Sequence, residues 1–158
     1  MKIIAITGSV GCGKTTLAKK IAKKIKGKYV DVNKIINKYK LSESYDKKRK
    51  SKIIDVKKLN KVLIGLIKKS KQDLVIDSHL SHYLPSKYVN LCIVTKCDLK
   101  ILKKRLKKRD YSEDKIRENL DAEIFDVCLN EVKEKGHNVL VIDTTKGLKS
   151  LNFLNNIW

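Results

Sequence analysis

Residues 2–20 read KIIAITGSVGCGKTTLAKK, and the fold is decided there. Lys2–Thr7 (KIIAIT) is an apolar, β-branched run that predicts a buried strand. From Lys14 to Ile25, Leu17, Ile21 and Ile25 recur on one face of a predicted helix. Between strand and helix, Gly8-Ser9-Val10-Gly11-Cys12-Gly13-Lys14-Thr15 satisfies G-x-x-x-x-G-K-[ST]. The glycines let backbone wrap a phosphate, while N–H groups and the helix N-terminus supply a positive field. Lys14 is then expected to reach the β- and γ-phosphates, and the Thr15 hydroxyl to ligate Mg²⁺. The spacing therefore predicts a nucleoside triphosphate site.

Outward from this loop, short apolar runs alternate with longer helical patterns. Lys28–Val32 predicts a second strand, followed by a polar stretch, 33–52, with little periodicity. Asp55 caps a predicted helix carrying Val56, Leu59, Val62, Leu63, Leu66 and Ile67. Leu74–Asp77 and Val89–Thr95 predict two further strands; Asp98 caps a helix to about Lys108, and Ser112 caps one reaching about Glu134. Gly136 ends that helix, Asn138–Ile142 is a fifth strand, and Gly147–Ile157 reads as a closing helix. Near-continuous apolar strands separated by helices imply an α/β fold, a parallel sheet covered on both faces.

A magnesium-orienting carboxylate belongs at the end of a neighbouring strand, and Asp77 ends LVID. His79 follows two residues later, where phosphate and water would meet. His79 and His82 form an H-x-x-H pair, but no nearby cysteine or acidic ligand completes a zinc site. Thr95-Lys96-Cys97-Asp98 is similar to the guanine-reading motif of small GTPases. The preceding strand ends in Asp77-Ser78-His79-Leu80, without the Gly of D-x-x-G, so Asp98 reads as a helix cap instead. Arg105 and Arg109, four apart, are expected to project to one side of a helix and to contact phosphate bidentately.

The 158 residues carry 37 Lys+Arg against 17 Asp+Glu, a formal net charge of +20, which suits a polyanionic partner such as RNA. Only four of those cations are arginine (Arg49, Arg105, Arg109, Arg117), and Gln72 is the sole glutamine. That Lys-rich bias is also compatible with heat-adapted composition. No apolar run approaches the ~20 residues of a membrane span, and no signal-peptide pattern opens the chain. A cytoplasmic protein is expected, without membrane contact. Cys12, Cys92, Cys97 and Cys128 lie far apart, which predicts reduced, mostly buried thiols.

Four stretches together resemble the nucleoside monophosphate kinases and, more narrowly, the adenylate kinase isoenzyme 6 family. They are ITGSVGCGKTTLAK, DVNKIINKYKLSESYD, IDSHLSHYLP and LKKRLKKRDYSEDKIRENLDAEIFDVCLNE. Members of that family are small kinase/ATPases linked to late maturation of the small ribosomal subunit, and the lysine bias points to an archaeal, heat-adapted one. The resemblance implies one P-loop kinase domain over 1–158, with five parallel strands in the order 2-3-1-4-5. It implies a monophosphate-binding segment at about 31–54 and a lid at about 108–118. Gly11, Gly13, Lys14, Thr15 and Thr16 would hold ATP, with Arg109 as a lid contact and Lys146 in the loop against the base. Asp77 and His79 match the family's D-x-H pair, and AMP is the implied acceptor. Implied partners are the small-subunit precursor, its eleventh, platform protein and rRNA facing the lysine-rich surface; a non-kinase, ATP-driven assembly factor is the alternative. The sequence departs from the family at Val10 (usually Pro), at Asn37-Lys38 (an Arg is usual) and at Asp110 (usually Gly).

Overall fold

Strand and helix propensities alternate along the chain, and a computed structural model, which describes residues 1–47, 51–148 and 152, gives the elements. They run β1 (Ile3–Gly8), α1 (Lys14–Lys24), β2 (Lys28–Asp31), α2 (Val32–Lys38), β3 (Ser42–Asp46), β4 (Ser51–Ile54) and α3 (Val56–Lys69). The second half runs β5 (Leu74–Asp77), β6 (Leu91–Lys96), α4 (Leu99–Lys107), α5 (Glu113–Ile124), α6 (Val127–Glu134) and β7 (Val139–Asp143). Two short 3-10 turns, Ser81–Tyr83 and Ser86–Tyr88, connect β5 to β6.

Five strands form one parallel sheet in the order β2-β5-β1-β6-β7, the 2-3-1-4-5 order of the expected kinase fold. Side chains alternate across it. Ile3, Ala5, Leu74, Ile76, Cys92 and Val94 pack with Leu59, Leu63 and Ile67 of α3. Their neighbours Ile4, Ile6, Val75, Leu91 and Ile93 pack on the other face with Leu17, Ala18 and Ile21 of α1. A one-residue slip would exchange the two sets, so burial on both faces fixes the register. The chain leaves β1 and β5 at their carboxyl ends beside each other, the crevice where open α/β sheets bind ligands.

Three expected caps form. Asp55 accepts from Lys58 N at 3.0 Å, Asp98 from Lys100 N at 2.9 Å and Ser112 from Lys115 N at 3.3 Å. The polar stretch 33–52 is more ordered than its sequence suggests: it contains α2 and, in β3 and β4, an antiparallel pair. The helix expected from Ser112 to Glu134 is two helices. Asp126 adopts φ 52° between α5 and α6. Lys96 Nζ bonds the Asp126 carboxylate and, at 3.0 Å, the Glu123 carbonyl, a tertiary anchor that helical periodicity does not reveal. Most of the closing helix expected over 147–157 lies outside the described residues. Among those residues no helix is long and apolar enough to cross a membrane. The thiols are free: Cys12, Cys92 and Cys97 are buried and Cys128 half-buried.

Candidate active site

The loop between β1 and α1 depends on glycine at its ends. Gly8 has φ 138°, and a Cβ there would lie 2.4 Å from Thr95 Oγ1. Gly13, at φ 74°, precedes the first residue of α1, and no side chain caps that helix. Its first-turn N–H groups therefore face the loop, an arrangement suited to phosphate. Lys14 Nζ donates to the Gly8 and Ser9 carbonyls, each at 2.9 Å. Burial pushes its pKa down, opposed by the Asp77 carboxylate.

Asp77 is buried at the end of β5, and its Oδ2 accepts from Thr15 Oγ1 at 2.7 Å and from Tyr29 OH at 2.8 Å. Tyr29 was not apparent from sequence. A tyrosine in a short strand reads as β-propensity, and only the pairing of β2 with β5 brings its hydroxyl to Asp77. Burial, then the hydrogen bond to Asp77, raises the Tyr29 phenol pKa, which keeps it a donor.

His79 and His82 serve different surroundings. His79 opens onto the cavity above the loop, where desolvation, then Lys14 and His82, push its pKa down to about 4. His82 is buried, with Nδ1 2.8 Å from Thr7 Oγ1 and Nε2 2.9 Å from Glu131 Oε2. It anchors the turn after β5 to β1 and α6. Among the described residues no group of three or more His, Cys, Asp or Glu could hold a metal, consistent with the divergent histidines.

A cavity of about 350 Å³ gathers Gly11, Gly13, Lys14, Thr15, Thr16, Asp77, His79 and Arg109. Tyr111, next in chain after the turn at Asp110, lines it too. Asp110 adopts φ 52°, the left-handed conformation in which glycine is unstrained and aspartate tolerated. The two arginines part company. Arg109 faces the cavity, whereas Arg105 donates to the Gly11 carbonyl at 3.3 Å and the Thr144 carbonyl at 3.0 Å. Arg105 thus ties the phosphate loop to the turn after β7, because backbone carbonyls meet its planar fork before the cavity does. Lys146 is exposed on that turn and does not line the cavity.

Glu123 is a second residue the sequence reading missed. Though ionisable, it is 5% exposed, accepting from Ser9 Oγ at 2.7 Å and Cys97 N at 2.9 Å, with Lys96 Nζ at 3.3 Å. Its carboxylate joins α5 to the loop. Lys96 is thereby engaged with Glu123 and Asp126, and Asp98 with its helix. The Thr95-Lys96-Cys97-Asp98 segment is structural, not a base-reading element.

The AAA domain family model matches residues 4–126. A protein of Methanocaldococcus jannaschii named "Putative adenylate kinase" is 42% identical over 142 residues, covering 90% of this chain and 76% of that one. Another of that name, from Thermococcus kodakarensis, is 38% identical, covering 90% and 76%. The Saccharomyces cerevisiae protein "Adenylate kinase isoenzyme 6 homolog FAP7" is 33% identical, covering 92% and 74%. Among solved structures, Mycoplasma mycoides deoxyadenosine kinase with bound dATP has a TM-score of 0.55 at 18% identity, covering 99% and 98%. Bacillus subtilis YorR, in complex with phosphorylated GDP, gives 0.61 at 16%, covering 99% and 93%. Those likenesses agree on the fold, and the closer ones share the loop, the Asp77–His79 pair and the Arg109 segment across most of their length. The chain belongs to the adenylate kinase isoenzyme 6 family of P-loop kinase-fold proteins.

Proposed function

We propose that this chain is a phosphotransferase that moves the γ-phosphoryl group of ATP to AMP or another nucleoside monophosphate, with accompanying ATP hydrolysis. The observation that carries the reading is one cavity holding Lys14, the Thr15–Asp77 pair, His79 and Arg109. Phosphoryl transfer through a loose transition state asks mainly for positioning and charge, and these residues supply both.

Lys14 places positive charge on the cavity floor and Arg109 places more from the 108–118 segment, the proposed lid. Gly11, Gly13 and Thr16 line the donor phosphates' path with backbone and hydroxyl groups. Arg105 acts as a strut for the loop, and Lys146 is proposed to meet the donor base. The metal expected with ATP is Mg²⁺. The fit rests on donor chemistry: the Thr15 hydroxyl and Asp77 carboxylate, 2.7 Å apart, offer the hard oxygen ligands it takes. When bound it neutralises charge on the transferring phosphates. His79, neutral near pH 7 through its lowered pKa, accepts a hydrogen bond from water or the acceptor phosphate.

The net charge of +20 supports a second part of the reading, binding to small-subunit precursor particles through rRNA or their platform protein. A steady-state assay of ADP formation with and without AMP tests the first part. AMP-dependent ADP formation is expected. ADP formation indifferent to AMP but stimulated by small-subunit rRNA leaves an assembly ATPase.

A further inference from the structure

A second cavity, about 390 Å³, adjoins the phosphate cavity and shares Asn33 and His79 with it. Its remaining walls come from α2 and β4: Ile36, Asn37, Lys52 and Ile54 among them. Ile36 is buried and Ile54 half-buried, so one side is apolar. Among the described lining residues there is no carboxylate, and Lys52 is the side chain with a fixed positive charge.

Lys52 differs from the many solvated lysines of this chain in being tethered. Its Nζ donates to Asn37 Oδ1 at 2.6 Å, which joins β4 to α2 across the cavity. An ammonium has three N–H donors, so two remain for a ligand. The cavity therefore offers a held cation, amide groups and an apolar wall, and it opens toward the site where a γ-phosphate would sit. Those features fit a phosphate monoester carrying a flat apolar group.

We propose that Lys52, held in place by Asn37, grips the phosphate of the acceptor nucleotide, with Ile36 and Ile54 as the wall for its nucleoside. The proposal rests on the kinase reading and names the residue that selects a phosphorylated acceptor over a bare nucleoside.

Calorimetric titration of AMP and of adenosine into the wild-type chain, Lys52→Ala and Lys52→Arg tests it. Lys52→Ala is expected to weaken AMP by about ten-fold, the size of one charge-assisted hydrogen bond, and adenosine by less than about two-fold. Lys52→Arg is expected to recover most of the AMP affinity. Equal AMP affinity in wild type and Lys52→Ala overturns the proposal. So does equal weakening of AMP and adenosine, which would make Lys52 a wall and not a phosphate contact, and so does a wild-type chain that binds no AMP. Lys52-dependent AMP binding without AMP-dependent ADP formation supports the assignment while refuting the kinase reading, so the two fail separately.

Discussion

Strand β1 and the hairpin β3–β4 stand on either side of His79 and are held by different forces. Every residue of β1 is buried, pinched between α1 and α3 and hydrogen-bonded to strands on both sides. In β3, Ser42, Glu43, Ser44 and Tyr45 are exposed, and β3 pairs only with β4, where Ile53 is exposed as well. Hydrophobic burial fixes the first region; one ladder of backbone bonds and the Lys52–Asn37 contact hold the second. The phosphate loop is thus mounted on the most cooperative part of the fold. The acceptor side is mounted on a part that opens at lower cost, as substrate-selecting segments generally are. Binding specificity can drift in the hairpin without endangering the loop.

The largest effect should come from the rigid side. Lys14→Ala removes the cation from the loop floor and is expected to lower ATP turnover by about 100-fold or more. Its thermal melting temperature should move little, since Lys14 bonds only carbonyls of its own loop and is only half-buried. Near-normal turnover would refute the assignment of the loop as the phosphate site.

A paired truncation measures the contrast in packing. Leu63, on α3, is 1% exposed, and Leu63→Ala should cost about 2–5 kcal/mol in denaturant unfolding. Tyr45, in β3, is 56% exposed, and Tyr45→Ala should change stability by less than about 0.5 kcal/mol. Comparable losses would mean that the hairpin belongs to the cooperative core.

The smallest effect belongs to His79, which lines both cavities. In the unfolded chain it takes a proton near the ordinary histidine value of about 6.5, and in the folded chain only toward about 4. The unfolded state therefore binds more protons in that window. The support that neutral His79 gives to folding is complete above pH 6.5 and is lost as pH falls toward 4. His79→Gln should accordingly show a shallower fall in melting temperature between pH 6.5 and 4.5 than wild type. An identical slope would show that His79 titrates normally in the folded chain.

The sequence by itself determined the sheet, the loop and the partners of the loop. Apolar runs of period two, the G-x-x-x-x-G-K-T spacing, the Asp77 at a strand end and the caps at Asp55, Asp98 and Ser112 are local, and local patterns are legible because neighbouring residues alone decide them. Tertiary structure decided the rest. Tyr29 and Thr15 converge on one oxygen of Asp77 only because β2 and β1 flank β5. Arg105 turns to carbonyls of two distant loops, while Arg109, one helical turn on, faces the cavity. The helix after Ser112 breaks at Asp126 because Lys96 and the loop's Ser9 draw on residues 123–126. Each of these depends on hydrogen bonds between residues roughly 30 to 115 positions apart, and a short-range propensity carries no information about a partner that distant.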